Sequence, residues 1–321
     1  MGEFTALGQP ELIELAAAFD LGTVQGWKAI AAGTINTNLA LETDRGRFFI
    51  RLNEGKAEAD VAWEARLVMA LAAAGVPAPP PLLARDGRPY AECLRKWASA
   101  FPWRAGHHLR ADQITRARAE TAGAALARLH LAGLELPVAW HRDSIYDHAH
   151  LVTRFERCAQ VDDEALTHAF ALIREELAIA SASTAIRDAA THGIIHGDLF
   201  RDNVLWEGEQ LSAILDFEQA SIGSLAYDLA VAINDWCWTG TPEIELAIAL
   251  VDGYQRLRPL TAADRAALPI ELRASATRFT LTRITDVYLA RVDNPDKDFR
   301  AFLARAEAWR GPALGQLTAS V

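Results

Sequence analysis

The sequence predicts an α+β chain of two lobes, a small sheet-bearing N-terminal lobe followed by a larger, mainly helical one. Three observations predict it. Two extended runs, Asn38–Thr43 and Arg47–Leu52, flank the turn residues Asp44, Arg45 and Gly46 and read as a β-hairpin. After Gly106 the chain becomes rich in helix-favouring Ala and loses its strand character. Within that helical half lies one island of β-type sequence, from Gly193 to Asp216. A length of 321 residues suits two domains, and the expected division is 1–102 and 103–321.

Taken in order, Leu12, Leu15, Ala16 and Phe19 recur at helical spacing and predict a short amphipathic helix. The hairpin follows. A helix over 58–74 then carries Val61, Ala65, Val68 and Ala72 on one face and is closed by Gly75 and Pro77. The Pro-rich run from Val76 to Pro81 is a stiff connector, since proline cannot sit in a helix interior. Short strands near Leu82–Leu83 and over Ala98–Trp103 are expected to complete a small mixed sheet. Asp112 is the expected N-cap of a long helix running through His130, with Leu126 and Leu129 inward. Further helices are expected near 150–180, 225–236, 243–257 and 270–290.

Composition removes several functions. With 32 Lys+Arg against 42 Asp+Glu the net charge is −10, the wrong sign for nonspecific nucleic-acid or anionic-membrane binding. The three cysteines, Cys93, Cys158 and Cys237, form no CxxC and read as thiols of a reducing compartment. The N-terminal residues lack the basic segment and apolar run of a signal peptide, and no stretch approaches 18 apolar residues. The expectation is a cytoplasmic protein with a small-molecule substrate.

One segment stands far above background. His196-Gly-Asp198-Leu-Phe-Arg-Asp-Asn203 is followed, after an apolar run, by Ile214-Leu-Asp216-Phe-Glu218. Phosphoryl transfer from a Mg-nucleotide explains the spacing. One Asp must meet the acceptor hydroxyl and receive its proton, and an Asn five residues on can reach a metal that a second Asp holds. Two carboxylates and an amide oxygen suit a hard cation. Asp198 and His196 are therefore the catalytic candidates, Asn203 and Asp216 the metal candidates.

This segment resembles the catalytic loop and metal motif of the aminoglycoside-phosphotransferase and choline-kinase-like branch of the protein-kinase fold, which writes H-G-D where protein kinases write H-R-D. A narrower similarity, to the bacterial homoserine kinases of that superfamily, runs through Gly33–Asn38, His130–Gly133, Ala220–Trp238 and Gly253–Thr261. The chain departs from that group after Asp216 and at Ser221-Ile-Gly223. The resemblance implies a bilobal kinase-like fold, ATP and Mg2+ as cofactors, and phosphorylation of the L-homoserine hydroxyl. A relative acting on an amino alcohol, aminoglycoside or sugar derivative is the alternative. A nucleotide-binding pseudokinase is a third reading, against which the intact Asp198, Asn203 and Asp216 argue.

No GxGxxG or GxxxxGK[ST] occurs, so neither a Rossmann fingerprint nor a Walker A loop applies. Gly33, Asn36 and Asn38 read either as a phosphate-facing turn or as an ordinary β-turn. None of the four lysines falls in the third-strand run, where the kinase fold carries its phosphate-anchoring Lys. Arg51 occupies it, with Glu64 on the following helix as its expected partner and Lys28 or Lys56 as substitutes. Trp103 marks where adenine would dock, or is core. Asp228 resembles the acid that braces the catalytic loop. A zwitterionic acceptor needs an acid for its ammonium, for which Asp235 is the expectation, and a cation for its carboxylate, for which Arg201, Arg278 and Arg283 are the candidates.

Overall fold

The computed structural model describes residues 5–30 and 36–321. They form two compact units, one of residues 1–107 with 205–218, the other of residues 108–204 with 219–321. The segment ending in Asp216 thus groups with the N-terminal residues.

In the first unit, helix α1 (Gln9–Ala18) precedes strands β1 (Val24–Ile30), β2 (Thr37–Thr43) and β3 (Gly46–Asn53). Helix α2 (Glu58–Ala73) follows, then β4 (Ala91–Cys93) and β5 (Lys96–Pro102). The five strands form one sheet of order β1-β2-β3-β5-β4. Every pairing is antiparallel, so the sheet is not the mixed one expected; the tight turns between β2 and β3 and between β4 and β5 can join only antiparallel neighbours. Leu82–Leu83 forms no strand. The prolines before it lack N–H donors, and among the described residues one backbone hydrogen bond, Leu82 N–H to Ala100 O at 2.8 Å, joins it to the sheet. Alternation along β3 sorts its side chains. Ile50 and Leu52 join Leu12, Leu15, Leu39 and Leu41 in one core, while Arg51 points to the opposite face. Each such buried side chain contributes about 1.5–3 kcal/mol relative to exposure.

The second unit is mainly helical. Helix α3 (Arg116–Leu134) is followed by α4 (His148–Cys158), α5 (Glu164–Ala182) and α6 (Thr184–Ala189). The N-cap of α3 is Thr115, whose hydroxyl accepts from Arg118 N–H. Asp112, expected there, lies in a preceding 3-10 turn and pairs with Arg110 instead. Strand β6 (His192–Ile195) comes next; β7 (Val204–Glu207) and β8 (Gln210–Ile214) pair with each other and fall, but for Val204, in the first unit, and β9 (Ser221–Ser224) returns to this one to pair with β6. Helices α7 (Leu225–Trp236), α8 (Ile244–Gln255), α9 (Ala262–Arg283), α10 (Arg300–Ala308) and α11 (Pro312–Thr318) complete the chain. A Thr261–Asp264 capping box starts α9 earlier than its apolar pattern suggests.

The closest helix contact in this unit depends on two glycines. A Cβ on Gly123 of α3 would lie 1.9 Å from Leu250 O, and one on Gly253 of α8 would lie 2.0 Å from Glu120 O. Only glycine allows backbones to approach so far. The approach carries Tyr254, next to Gly253, against His130 of α3.

Candidate active site

The second unit holds the catalytic loop. Strand β6 ends at Ile195 and the chain runs through His196 to a 3-10 turn at Arg201–Asn203. From Gly193 to Phe200 every residue is buried except Asp198, which is half-buried. Gly197 makes the necessary turn at φ +77°, a conformation that strains other residues, with Gln219 O 3.0 Å from where a Cβ would stand.

Helix α7 fixes this loop like a ruler. Asp228 accepts from His196 N–H at 2.7 Å and Gly197 N–H at 2.8 Å. Two turns on, Asp235 accepts from Arg201 N–H at 2.8 Å and from the Arg201 guanidinium at 2.9 Å. Trp236 Nε1–H donates to Leu199 O at 3.0 Å. Within the loop, Asn203 Nδ2 donates to Asp198 O at 2.8 Å. Its Oδ1 makes no hydrogen bond among the described residues. His196 is fully buried, and its Nδ1 accepts from Asp198 N–H at 3.3 Å.

A buried network stands behind the ruler. His130 Nε2 lies 3.0 Å from Asp228 Oδ2 and its Nδ1 lies 2.7 Å from Tyr254 Oη. Arg258 donates to Tyr254 Oη and to Asp264, and Asp264 accepts from Thr191 N–H just before β6. Burial pushes the His130 pKa down and outweighs the pull of Asp228, so the ring is neutral. Tyr254 then donates to Nδ1, and Nε2–H donates to Asp228. Burial alone would raise the Asp228 carboxyl. Hydrogen bonds from the His130 ring and from the His196 amide reverse this and hold it below the usual range.

Arg201 and Asp235, expected to grip the acceptor, grip each other. Both hold the loop. Arg283 donates to Asp298 O at 3.1 Å. Burial lowers its pKa although Asp235, Asp198 and Asp202 all oppose that shift.

The first unit gathers charge instead. Arg51 Nη1 lies 3.1 Å from Glu64 Oε1, 3.4 Å from Glu218 Oε1 and 3.7 Å from Asp216 Oδ1. Lys56 Nζ lies 3.0 Å from Glu64 and 3.1 Å from Glu218. Asn36 also donates to Glu218, and its Oδ1 accepts from Glu54 N–H. Burial would lower the Arg51 pKa, but Asp216, Glu64 and Glu218 together raise it, so the guanidinium stays charged. Asp216 itself has φ +62°, a left-handed conformation rare outside glycine. Its Oδ1 is sealed from solvent and accepts no hydrogen bond. Asn38 pairs with Arg51 across β2 and β3, and Gly33 lies outside the described residues. Trp103 is half-buried under the Arg47 guanidinium, 3.7 Å from its ring centroid.

Residues 26–260 match the phosphotransferase enzyme family. The chain belongs to that family. It is 33% identical to a homoserine kinase of Parvibaculum lavamentivorans over 98% of this chain and 97% of that one. A homoserine kinase of Methylobacterium radiotolerans is 35% identical over 89% and 88% of the two chains. Among solved structures, an amicoumacin kinase in complex with AMP-PNP, Ca2+ and Ami superposes with a TM-score of 0.72, covering 95% of this chain and 94% of that one at 13% identity. A choline/ethanolamine kinase family protein from Mesorhizobium loti gives 0.69, covering 97% of each chain at 20% identity. The protein is a small-molecule kinase of bilobal, kinase-like fold. Among the described residues no helix is long and apolar enough to cross a membrane.

Sequence reading missed the pairing of His130 with Asp228. His130 lies 98 residues from Asp228, and nothing local marks it beyond its place at the buried end of a long helix. Lys56, expected only as a substitute for Arg51, shares Glu64 and Glu218 with it.

Proposed function

We propose that this kinase transfers the γ-phosphoryl group of ATP to the side-chain hydroxyl of L-homoserine in the cytoplasm. The 33% identity to a homoserine kinase over nearly the whole chain carries the reading of the acceptor.

In this reading Asp198 Oδ receives the hydroxyl proton as the hydroxyl attacks. Its half-exposure within an otherwise buried loop supports that task. His196, being fully buried, is a positioning residue that acts through the Asp198 backbone. Arg51 and Lys56 bind the nucleotide phosphates, and Glu64 orients both cations. Asp216 Oδ1, buried without a hydrogen bond, and Asn203 Oδ1 fit as hard oxygen donors to Mg2+. Bound there, Mg2+ would neutralise phosphate charge during the transfer. Among the described residues no group of three or more His, Cys, Asp or Glu could hold a metal by itself. A Mg2+ that keeps phosphate oxygens and waters needs only one or two carboxylates.

The test is ADP release measured with Mg2+ and ATP across L-homoserine, L-serine, choline, ethanolamine and an aminoglycoside. L-Homoserine should give the highest kcat/KM. Preference for choline or an aminoglycoside would overturn the acceptor, and no ADP release with any alcohol would favour a pseudokinase.

A further inference from the structure

The second unit buries or half-buries several arginines, and most have obvious partners. Arg258 pairs with Asp264 at 3.0 Å, Arg201 with Asp235 at 2.9 Å and Arg187 with Glu271 at 3.0 Å. Arg305 donates to Asn234 O at 2.6 Å. Arg278, in the last turns of α9, is different. It is only 4% exposed, and its Nε is sealed from solvent with no hydrogen bond. Among the described residues its Nη groups donate to nothing, and no carboxylate stands within ion-pair distance.

Aromatic faces surround it. The guanidinium carbon lies 4.0 Å from the Tyr146 ring centroid and 3.8 Å from that of Phe279. Such contacts partly compensate the charge but leave the Nε–H sealed without an acceptor. Burying an unpaired cation costs several kcal/mol and persists only where something offsets it. A planar, desolvated guanidinium with free donors and apolar walls is a receptor for a carboxylate.

Its place in the unit ties it to the chemistry. Phe279 packs against Phe200 at 4.6 Å between ring centroids, two residues beyond Asp198. Tyr227, whose phenol burial pushes up to about 12, is charge-coupled to Arg278 and stands next to Asp228 on α7. Its hydroxyl is therefore a neutral donor, and it bonds to nothing among the described residues.

We propose that Arg278 binds the α-carboxylate of the acceptor amino acid and so determines specificity for amino acids over amino alcohols. This rests on the reading of the acceptor as L-homoserine, and it moves the carboxylate contact from Arg201 to a residue with no competing partner.

The experiment compares L-homoserine with 3-amino-1-propanol, the same molecule without its carboxylate, as acceptors for wild type, Arg278→Met and Arg278→Lys. The homoserine:aminopropanol ratio of kcat/KM should fall about 100-fold in Arg278→Met, mostly through the KM for homoserine, with the KM for ATP steady. Arg278→Lys should recover part of the ratio. Thermal melting without substrate should show Arg278→Met at least as stable as wild type, because an uncompensated buried charge is gone. Equal losses on both acceptors, or a lowered melting temperature with an unchanged ratio, would overturn the role of Arg278 while leaving homoserine as substrate. A wild type that rejects L-homoserine but phosphorylates another alcohol would overturn the acceptor reading, and this inference with it. Should Arg278→Met fail to fold, the Lys variant decides alone: an unchanged ratio and unchanged KM would contradict the proposal.

Discussion

The two units treat buried charge in opposite ways. Around β3 and α2, three carboxylates, Glu64, Asp216 and Glu218, crowd two cations, Arg51 and Lys56. One carboxylate is in excess, one of its oxygens lacks a hydrogen bond, and its backbone is strained. Around the catalytic loop the two carboxylates of α7 are matched. Asp228 is satisfied by two amides and a neutral imidazole, and Asp235 by an amide and a guanidinium. The contrast teaches which part is finished by the protein and which awaits ligand. The loop is preset by α7, so its geometry exists before substrate arrives. In the proposed function the charge cluster receives the cation and phosphates that come with the nucleotide.

Breaking the preset loop at its reacting atom should give the largest effect. Asp198→Asn keeps the shape but cannot take the hydroxyl proton, so kcat should fall about 10²–10⁴-fold with little change in melting temperature. Near-wild-type turnover would remove Asp198 from the mechanism. Next comes the ruler itself. Asp228→Ala orphans two buried amides and His130, and urea unfolding should show a loss of about 3–5 kcal/mol with a parallel fall in kcat. If stability survives, the loop is held elsewhere.

The charge cluster should behave differently. Arg51→Ala should raise the KM for ATP about tenfold, a loss of about 1.4 kcal/mol in binding, and change the KM for the acceptor far less. Arg51→Lys should recover only part, since a point charge replaces a fork. An unchanged KM for ATP would shift the phosphate anchor to Lys56.

The smallest effect is a pH dependence. Burial holds the folded His130 pKa below its ordinary value of 6.5, so the unfolded chain takes up a proton that the folded chain refuses. Stability from this source is complete above about pH 6.5 and declines as pH falls toward the folded pKa. Asp228, also lowered, adds its own loss only below about pH 4. Chemical denaturation of His130→Gln between pH 7 and 5 should therefore show a flatter profile than wild type. Identical slopes would mean that His130 titrates freely.

Much of this was legible in the sequence because the chemistry is contiguous. Eight residues from His196 to Asn203 carry the loop, and the hairpin and helix before it follow from period and turn residues. Asp228 and Asp235, seven apart, were rightly placed on one helix face, but spacing does not say what that face meets. The clamp of Asp235 on Arg201 is therefore not legible in the sequence. The Thr115 cap and the failed strand at Leu82 turned on single hydrogen bonds that composition does not resolve. His130 needed the close approach at Gly123 and Gly253, which is a property of two helices together and of neither sequence alone.

Hydrogen exchange of the loop amides tests the central contrast most directly. In the protein without nucleotide, peptides covering His196, Gly197 and Arg201 should exchange as slowly as the surrounding core, and added ATP and Mg2+ should change them little. Fast exchange at these three amides, slowed only when nucleotide binds, would contradict a loop preset by α7.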